Sequence, residues 1–171
     1  MIELVTPEVS FHDSWVEAVA EFGEEPMHGS GLWDLDRGDL SPAALEREIA
    51  RLLAEADESI PPKPGWVHCS YYWIVADGAF VGYLAMRHRL NESLLEEGGH
   101  IGYSVRPSRR RQGVAGTALA LALPMARERG IERALVTCDE DNEGSRRTIE
   151  RNGGVLEDVR ADKRRYWIDL T

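Results

Sequence analysis

The residues of this chain best suited to chemistry form the run Arg-Arg-Gln-Gly-Val-Ala-Gly at positions 110–116. The run follows the apolar segment Ile101–Val105 and opens a helical pattern that ends near Arg129. Amide groups in the first turn of a helix have no partner within the helix, and the helix dipole adds about half a positive charge there. Small residues in such a loop let a phosphate approach the backbone. The run therefore predicts a site for a phosphate-bearing ligand.

The hydrophobic pattern places this loop within a series of strands and helices. Strands are predicted at 2–6, 66–76, 79–89, 100–105, 134–138, 155–159 and 165–170, and helices at 10–22, 41–56, 113–129 and 142–152. Asp77-Gly78 predicts a tight hairpin between the second and third strands. The strand–helix–strand unit over 100–138 predicts a right-handed parallel crossover. We therefore expect one α/β or α+β domain over 1–171, with a mixed sheet flanked by helices and the loop near its centre.

Composition narrows the classes of protein to consider. The chain has 171 residues, of which 43% are hydrophobic and 29% charged, as in an ordinary globular protein. No apolar run approaches the roughly 20 residues that span a bilayer, and the first residues lack a signal-peptide pattern. Cys69 and Cys138 match neither a disulfide framework nor a zinc-site spacing. We expect a cytoplasmic protein without a metal or a membrane partner.

The net charge of −10 is concentrated in the first third of the chain. Residues 1–60 hold fifteen Asp and Glu against three Lys and Arg. An acidic surface is unsuited to nucleic acid, because contacts with phosphates dominate that affinity. Two interpretations remain open, namely attraction of a cationic acceptor such as an amine and a solvated surface that keeps the protein soluble.

Two other phosphate sites fit the loop less well. Asp139 follows the next predicted strand, 26 residues after Gly113, where the ribose-binding acid of a dinucleotide site would lie. The run contains only Gly113 and Gly116, however, so the pattern G-x-G-x-x-G is absent. The loop also lacks the Gly-Lys-Ser/Thr of a nucleotide-binding P-loop. For the loop taken alone, a further interpretation also remains open, namely a solvated turn that binds no ligand.

Residues 100–154 resemble the core of the GCN5-related N-acetyltransferase (GNAT) family. The family pattern Arg/Gln-x-x-Gly-x-Gly/Ala is matched by Arg110, Gly113 and Ala115. The strand that ends in Val-x-Pro is matched at 105–107, and the Asn with a small residue three positions later is matched by Asn142 and Ser145. The string Gly-His-Ile-Gly-Tyr-x-Val-Arg-Pro-Ser at 99–108 is similar to a bacterial branch of the family.

The resemblance implies direct acetyl transfer from acetyl-CoA to the primary amine of a small molecule or a peptide. It places the pyrophosphate on the amides of 111–116 and the pantetheine arm along 104–106, where an amide near Val105 would polarise the thioester oxygen. Asn142 and Ser145 match positions near that arm, although Asn is also a preferred helix cap. The implied acetyl-CoA-binding residues are Ser104, Val105, Arg106, Arg110, Arg111, Gln112, Gly113, Val114, Ala115, Gly116, Asn142 and Ser145.

The chain departs from the family at the residue that often protonates the leaving thiolate. Many members have a Tyr seven residues after the Asn, whereas this chain has Ile149. This departure keeps a second class of function open, a non-catalytic acetyl-CoA-binding module that serves as a sensor or an interaction partner.

Amine acetylation also needs a group that accepts a proton from the nitrogen. The candidates are His100, which opens the strand beside the donor, and His88, which ends the facing hairpin strand, with Glu96 and Glu97 as further acids. The competing interpretation is that both histidines only satisfy backbone groups. Tyr103 lies on the same strand as His100 but faces the opposite side.

The acceptor pocket is expected between the first two helices, the loop 23–38 and residues 87–99. Phe22, Trp33 and Trp66 are either walls of this pocket or core aromatics. Acidic residues of the loop would attract a cationic amine; they are Glu24, Glu25, Asp34 and Asp36. An edge strand near the C-terminus leaves a homodimer open.

Overall fold

The computed structural model describes residues 1–171, and its strands form two antiparallel sheets. The larger sheet contains, in spatial order, β1 (Ile2–Val5), β2 (Cys69–Ala76), β3 (Ala79–Arg87) and β4 (Ile101–Val105). The smaller sheet contains β5 (Arg133–Asp139), β6 (Val155–Arg160) and β7 (Lys163–Asp169), with β7 in the middle. The predicted hairpin is present, with Asp77 and Gly78 both at positive φ, as a two-residue turn requires.

Five helices connect and cover the strands. They are α1 (His12–Phe22), α2 (Pro42–Ala56), α3 (Glu92–Glu96), α4 (Val114–Glu128) and α5 (Glu143–Arg151). Ser41 caps α2, because its hydroxyl accepts a hydrogen bond from the Ala44 amide at 3.2 Å and Pro42 occupies the first helical position. No helix is long and apolar enough to cross a membrane.

Side chains alternate between two hydrophobic cores on the faces of the larger sheet. On β3, Phe80 and Tyr83 pack with Trp15 of α1, whereas Val81 and Leu84 pack against the side formed by α4 and the smaller sheet. Because both faces are covered, β2 and β3 are buried along almost their whole length. The strands that position the loop at 110–116 are therefore held from both sides.

The two sheets meet at His100 and separate beyond it. The His100 amide donates to the Leu135 carbonyl at 2.8 Å, and the Leu135 amide donates to the imidazole Nδ1 of His100 at 2.9 Å. The imidazole thus accepts the hydrogen bond of an amide that would otherwise pair with a backbone carbonyl of the neighbouring strand. No further backbone pairing joins β4 to β5. The α+β class is confirmed, but the expected parallel pairing is absent and a gap opens between β4 and β5.

Candidate functional site

The loop at 110–116 has the backbone shape of an anion site. Arg111 and Gly113 adopt left-handed conformations, with φ of 60° and 76°. Gly113 is the N-cap of α4, no side chain caps it, and the first helical bond runs from the Thr117 amide to the Gly113 carbonyl at 3.0 Å. The amides of residues 114–116 therefore have no helical partner and point out of the helix N-terminus.

Gly113 is needed for its backbone conformation and not to avoid a clash with the rest of the protein. A Cβ added at Gly113 or at Gly116 would meet no atom of the protein within 4 Å. Gly113 is nevertheless required by its left-handed φ, which other residues adopt only with strain. The open space in front of both residues leaves the helix N-terminus accessible to a ligand.

Arg110 ties the loop to its surroundings. Its Nε donates to the Val105 carbonyl at 3.0 Å, and its Nη2 donates to the Glu25 carboxylate at 2.7 Å. The guanidinium also lies 5.9 Å from the centre of the Phe22 ring. Arg110 therefore links β4, the loop after α1 and the loop at 110–116, and its side chain remains partly exposed.

Arg106, one of the implied acetyl-CoA-binding residues, does not place its charge at the edge of the loop. Its guanidinium is buried and donates to the Glu21 carboxylate of α1 at 2.7 and 3.1 Å. Ser108 donates to the same carboxylate through its hydroxyl and its amide. Hydrogen bonds from Arg106, and secondarily from Ser108, lower the pKa of Glu21 from 4.5 to about 2. Arg106 thus anchors the residues that precede the loop.

Remaining side chains of the loop stabilise its turn. The Gln112 side-chain amide donates to the Ser108 carbonyl at 3.2 Å and accepts from Arg109 Nε at 3.2 Å. Gln112 thereby closes the turn that precedes Gly113.

The backbone of β4 offers alternate amides to the gap between the sheets. The Arg106 amide donates to the Val81 carbonyl, and the His100 carbonyl accepts from the Arg87 amide, so even-numbered residues bond to β3. Because antiparallel pairing alternates, the amides of Tyr103 and Val105 point away from β3. Of the three residues predicted to pair with the pantetheine arm, Val105 has its amide free for that role.

Asn142 and Ser145 lie at the start of α5, and Ser145 contacts Tyr103 of β4. Asn142 caps α5, with its side-chain oxygen accepting from the Ser145 amide at 3.1 Å. The hydroxyl groups of Ser145 and Tyr103 share a hydrogen bond of 2.8 Å. Sequence reasoning gave Tyr103 no role, because nothing in the local pattern reveals a partner 42 residues away.

Comparison with known proteins assigns the fold to a family. The family model described as an acetyltransferase (GNAT) domain matches residues 13–155, most of the chain. The chain belongs to the GNAT family. No curated protein sequence gave a significant match.

Solved GNAT structures share the fold over nearly the whole chain. Mycobacterium smegmatis RimJ, in complex with CoA-disulfide, is 21% identical with a TM-score of 0.73, and the alignment covers 98% of this chain and 81% of RimJ. RimL, a ribosomal L7/L12 alpha-N-protein acetyltransferase in complex with coenzyme A, is 18% identical with a TM-score of 0.68, at 99% and 96% coverage. The self-immunity acetyltransferase MccE, with acetyl-CoA and AMP, is 14% identical with a TM-score of 0.67, at 98% and 92% coverage.

His100 lies at the apex of the gap in this GNAT fold. Its side chain is buried, and its Nδ1 accepts the Leu135 amide, so the Nδ1 lone pair is already used. Burial, and secondarily the charge of Arg87, lowers its pKa from 6.5 to about 4. The imidazole is therefore neutral at pH 7, and its Nε2 makes no hydrogen bond within the protein.

His88 lies at the opposite end of the β3–β4 pair from Val105. Its Nε2 is 2.7 Å from the Ser70 hydroxyl and its Nδ1 is 2.9 Å from the Glu58 carboxylate, so both ring nitrogens have partners. Arg129 donates to the same Ser70 hydroxyl at 2.8 Å. Burial, followed by the charge of Arg129, lowers the pKa of His88. The structure does not bring His88 together with the loop at 110–116, and its contacts join the end of β3 to β2 and to the segment after α2.

The other predicted proton-transfer residues also have partners. Glu96 pairs with Arg160 at 2.7 Å, and Glu97 pairs with Lys163 at 3.1 Å. Ile149 is fully buried and packs against Gly154, so its position supplies no polar group.

The loop after α1 covers the face of β4 on the expected acceptor side. The Ser104 hydroxyl donates to the His28 carbonyl at 2.6 Å, and a Cβ added at Gly29 would lie 2.6 Å from the Gly102 carbonyl oxygen. Trp33 and Trp66 are 65% and 46% exposed, with ring centres 6.3 Å apart in an edge-to-face arrangement. Phe22, by contrast, is a core residue at 1% exposure, so it does not line an open pocket.

Proposed function

We propose that residues 1–171 form one acetyltransferase domain that transfers the acetyl group of acetyl-CoA directly to a primary amine. The observation that carries this proposal is the uncapped start of α4, where Arg111 and Gly113 are left-handed and three amides have no helical partner. This helix terminus directly follows β4 in a chain that belongs to the GNAT family.

Every predicted acetyl-CoA-binding residue except Ser104 has a specific part in this proposal. The amides of 111–116 bind the pyrophosphate, with the helix dipole favouring its negative charge. Arg110 and Gln112 hold the loop in shape, and Arg106 fixes its approach through Glu21. The Val105 amide stabilises the negative charge that develops on the thioester oxygen when the amine attacks. Asn142 and Ser145 line the far side of the gap.

His100 is the histidine that we propose as the acceptor of the amine proton. It lies at the apex of the gap, it is neutral at pH 7, and its Nε2 has no partner within the protein. A water molecule would carry the proton from the nitrogen to Nε2. His88 is farther from the gap along β3, so it is the second choice.

The acceptor that we propose is the amine of a small molecule or a peptide, reached in the cytoplasm. RimL is an alpha-N-protein acetyltransferase, which favours a peptide amine for a chain of the same fold. The exposed Trp33 and Trp66 would contact the body of the acceptor, and the neighbouring Asp34 and Asp36 would attract its charge.

Thermal unfolding with acetyl-CoA provides the test of binding. Ligand at 100 times its dissociation constant adds about 2.7 kcal/mol to the free energy of unfolding. Gly113→Glu places a carboxylate among the proposed phosphate-binding amides and should abolish the shift. The matched control is Gly65→Glu, a position with equally positive φ and open space that lies away from the loop. No shift for the unmodified protein at millimolar acetyl-CoA would contradict the proposal.

A non-catalytic acetyl-CoA-binding module is the second candidate function. The observation that favours it is Ile149, which leaves the usual acid position apolar. Measuring the release of free CoA thiol with a panel of amines and peptides distinguishes the enzyme from the non-catalytic module. Binding without turnover on every acceptor, including a cell extract, would favour the module.

A further inference from the structure

A serine, a histidine and a glutamate form a hydrogen-bonded chain where β2 begins and β3 ends. The Ser70 hydroxyl lies 2.7 Å from Nε2 of His88, and Nδ1 of His88 lies 2.9 Å from the Glu58 carboxylate. Arg129 donates to the same hydroxyl at 2.8 Å. None of these four residues is among the proposed acetyl-CoA-binding residues.

The register of β2 and β3 brings the serine and the histidine together. Ser70 pairs with Met86, and in the same register the His88 amide donates to the His68 carbonyl at 2.9 Å. Because side chains alternate along a strand, Ser70 and His88 are diagonal neighbours on one face of the sheet. The rings of His68 and His88 stack there, with their centres 6.0 Å apart.

The direction of each hydrogen bond follows from the groups at the two ends of the chain. A guanidinium only donates, so the Ser70 oxygen accepts from Arg129 and its own proton points to Nε2 of His88. A carboxylate only accepts, so Nδ1 carries the hydrogen that bonds to Glu58. Nε2 thus presents its lone pair to the serine, as in a Ser-His-acid triad. Burial, followed by the charge of Arg129, lowers the pKa of His88 below its ordinary 6.5, which keeps the ring neutral at pH 7.

Glu58 belongs to a turn after α2 that is itself held in place. The amide and the hydroxyl of Ser59 donate to the Asp57 carboxylate at 2.9 and 2.6 Å. Nε2 of His68 donates to the Ile60 carbonyl at 2.7 Å. The turn that carries Glu58 is therefore fixed to the segment that leads into β2.

Arg129 supplies a positive charge beside the serine on a side that is open to solvent. It is the C-cap of α4, it is exposed, and its guanidinium makes no hydrogen bond in the protein other than the one to Ser70. Its remaining N–H groups are available to the carbonyl oxygen of a substrate. Ser70 is 5% exposed, so only a small substrate suits this position. β1 pairs with β2 only as far as Trp73, so no strand covers the edge of β2 beside Ser70.

We propose that Ser70, His88 and Glu58 form a second active site that hydrolyses small esters of carboxylic acids. The Ser70 oxygen attacks the ester carbonyl carbon as its proton passes to Nε2 of His88, and Arg129 stabilises the oxyanion. The bond between that carbon and the alcohol oxygen breaks, and the alcohol leaves with the proton from His88. Water then attacks the acyl-serine and gives a proton to His88, which returns it to the Ser70 oxygen as the carboxylic acid leaves. Glu58 acts as a positioning residue, because it contacts only His88.

A fluorophosphonate probe tests the nucleophile in the unmodified protein, so the result does not depend on whether a variant folds. The serine oxygen bonds to phosphorus, fluoride leaves, and mass spectrometry locates the modified residue. We expect the label on Ser70 and none on Ser59, which is exposed but bonds to Asp57 and to no histidine. Absence of label on Ser70, or equal labelling of Ser59, would overturn the proposal.

Hydrolysis of p-nitrophenyl acetate in the absence of acetyl-CoA tests turnover. We expect Ser70→Ala to lower the rate about 100-fold, whereas the control Ser59→Ala should keep it. Ser70→Ala should also retain acetyl transfer from acetyl-CoA, which shows that the variant is folded and that the two activities are separate. Equal ester hydrolysis by Ser70→Ala and the unmodified protein would overturn the proposal.

The pH dependence of the hydrolysis tests the positioning role of Glu58. The rate should fall as the pH drops through the pKa of His88, since a protonated imidazole cannot accept the serine proton. The hydrogen bond to Glu58 raises this pKa against the effects of burial and Arg129, so Glu58→Gln should move the midpoint of the profile to lower pH. An unchanged midpoint in Glu58→Gln would contradict the triad.

Discussion

The buried guanidinium of Arg106 makes a two-point contact with the carboxylate of Glu21, 85 residues earlier in the chain. Ser108 binds the same carboxylate through its hydroxyl and its amide. One acidic side chain of α1 therefore holds both the end of β4 and the turn that leads into the loop at 110–116. The geometry of that loop depends on a residue outside it.

Glu21→Gln should destabilise the protein in a pH-dependent way. The variant leaves the buried Arg106 without its counter-charge, and we expect a loss of about 2 kcal/mol at pH 7 after allowing for solvent screening of the partly exposed carboxylate. Because folding lowers the pKa of Glu21 from 4.5 to about 2, its contribution is present above pH 4.5 and disappears as the pH falls toward 2.

Urea unfolding at pH 7 and near pH 2 measures this difference. The free energies of unfolding of Glu21→Gln and of the unmodified protein should differ at pH 7 and converge at the lower pH. Glu17→Gln is the control, since Glu17 lies 3.7 Å from Arg106 but is 71% exposed, and it should change stability little. An equal effect of the two variants at pH 7 would contradict the anchoring role.

Gly116→Ala should separate stability from ligand binding. Gly116 has ordinary helical φ and open space around it, so alanine should raise the free energy of unfolding by about 0.5 kcal/mol. Its Cβ tilts toward the helix N-terminus, where the pyrophosphate is proposed to bind. We expect acetyl-CoA affinity to fall about tenfold, which corresponds to about 1.4 kcal/mol.

Calorimetric titration with acetyl-CoA gives the affinity, and Gly144→Ala serves as the control. Gly144 occupies the first turn of α5, and a Cβ there would make only ordinary contacts. This variant should gain stability without losing affinity. Equal affinity in Gly116→Ala and the unmodified protein would place the phosphates elsewhere.

His100→Gln should alter both turnover and the pH dependence of stability. Because folding lowers the pKa of His100 from 6.5 to about 4, the unfolded chain binds a proton more readily and the protein loses stability as the pH falls from 6.5 toward 4. Glutamine has no such titration and can still accept the Leu135 amide, so the decline over this range should be shallower.

Turnover at pH 7 tests the proposed role of His100 as the proton acceptor. We expect kcat to fall about 100-fold in His100→Gln. His88→Gln should leave kcat nearly unchanged, because both ring nitrogens of His88 bind Ser70 and Glu58 at the far end of β3. Full activity in His100→Gln would assign the proton to a water chain or to another residue.

Local chemistry made the order of elements, including the turn and helix start at 110–116, predictable from the sequence. The β-rich runs of β2 and β3, the Asp77-Gly78 turn and the cap at Ser41 each depend on neighbouring residues, and the predicted boundaries differ from the structure by a few positions. Gly113 was predicted as part of a phosphate loop because a small residue lets a phosphate approach the backbone, and the structure adds its left-handed φ.

Tertiary structure decided which partner each polar side chain takes. Arg106 binds Glu21 of α1, and Tyr103 meets Ser145 across the gap, at separations of 85 and 42 residues. The single parallel crossover was expected to pair β4 with β5, yet the His100 imidazole takes the amide that would continue that pairing. Such contacts depend on how the sheets pack, because hydrogen bonds between distant residues follow from their positions in space and have no periodic pattern along the chain.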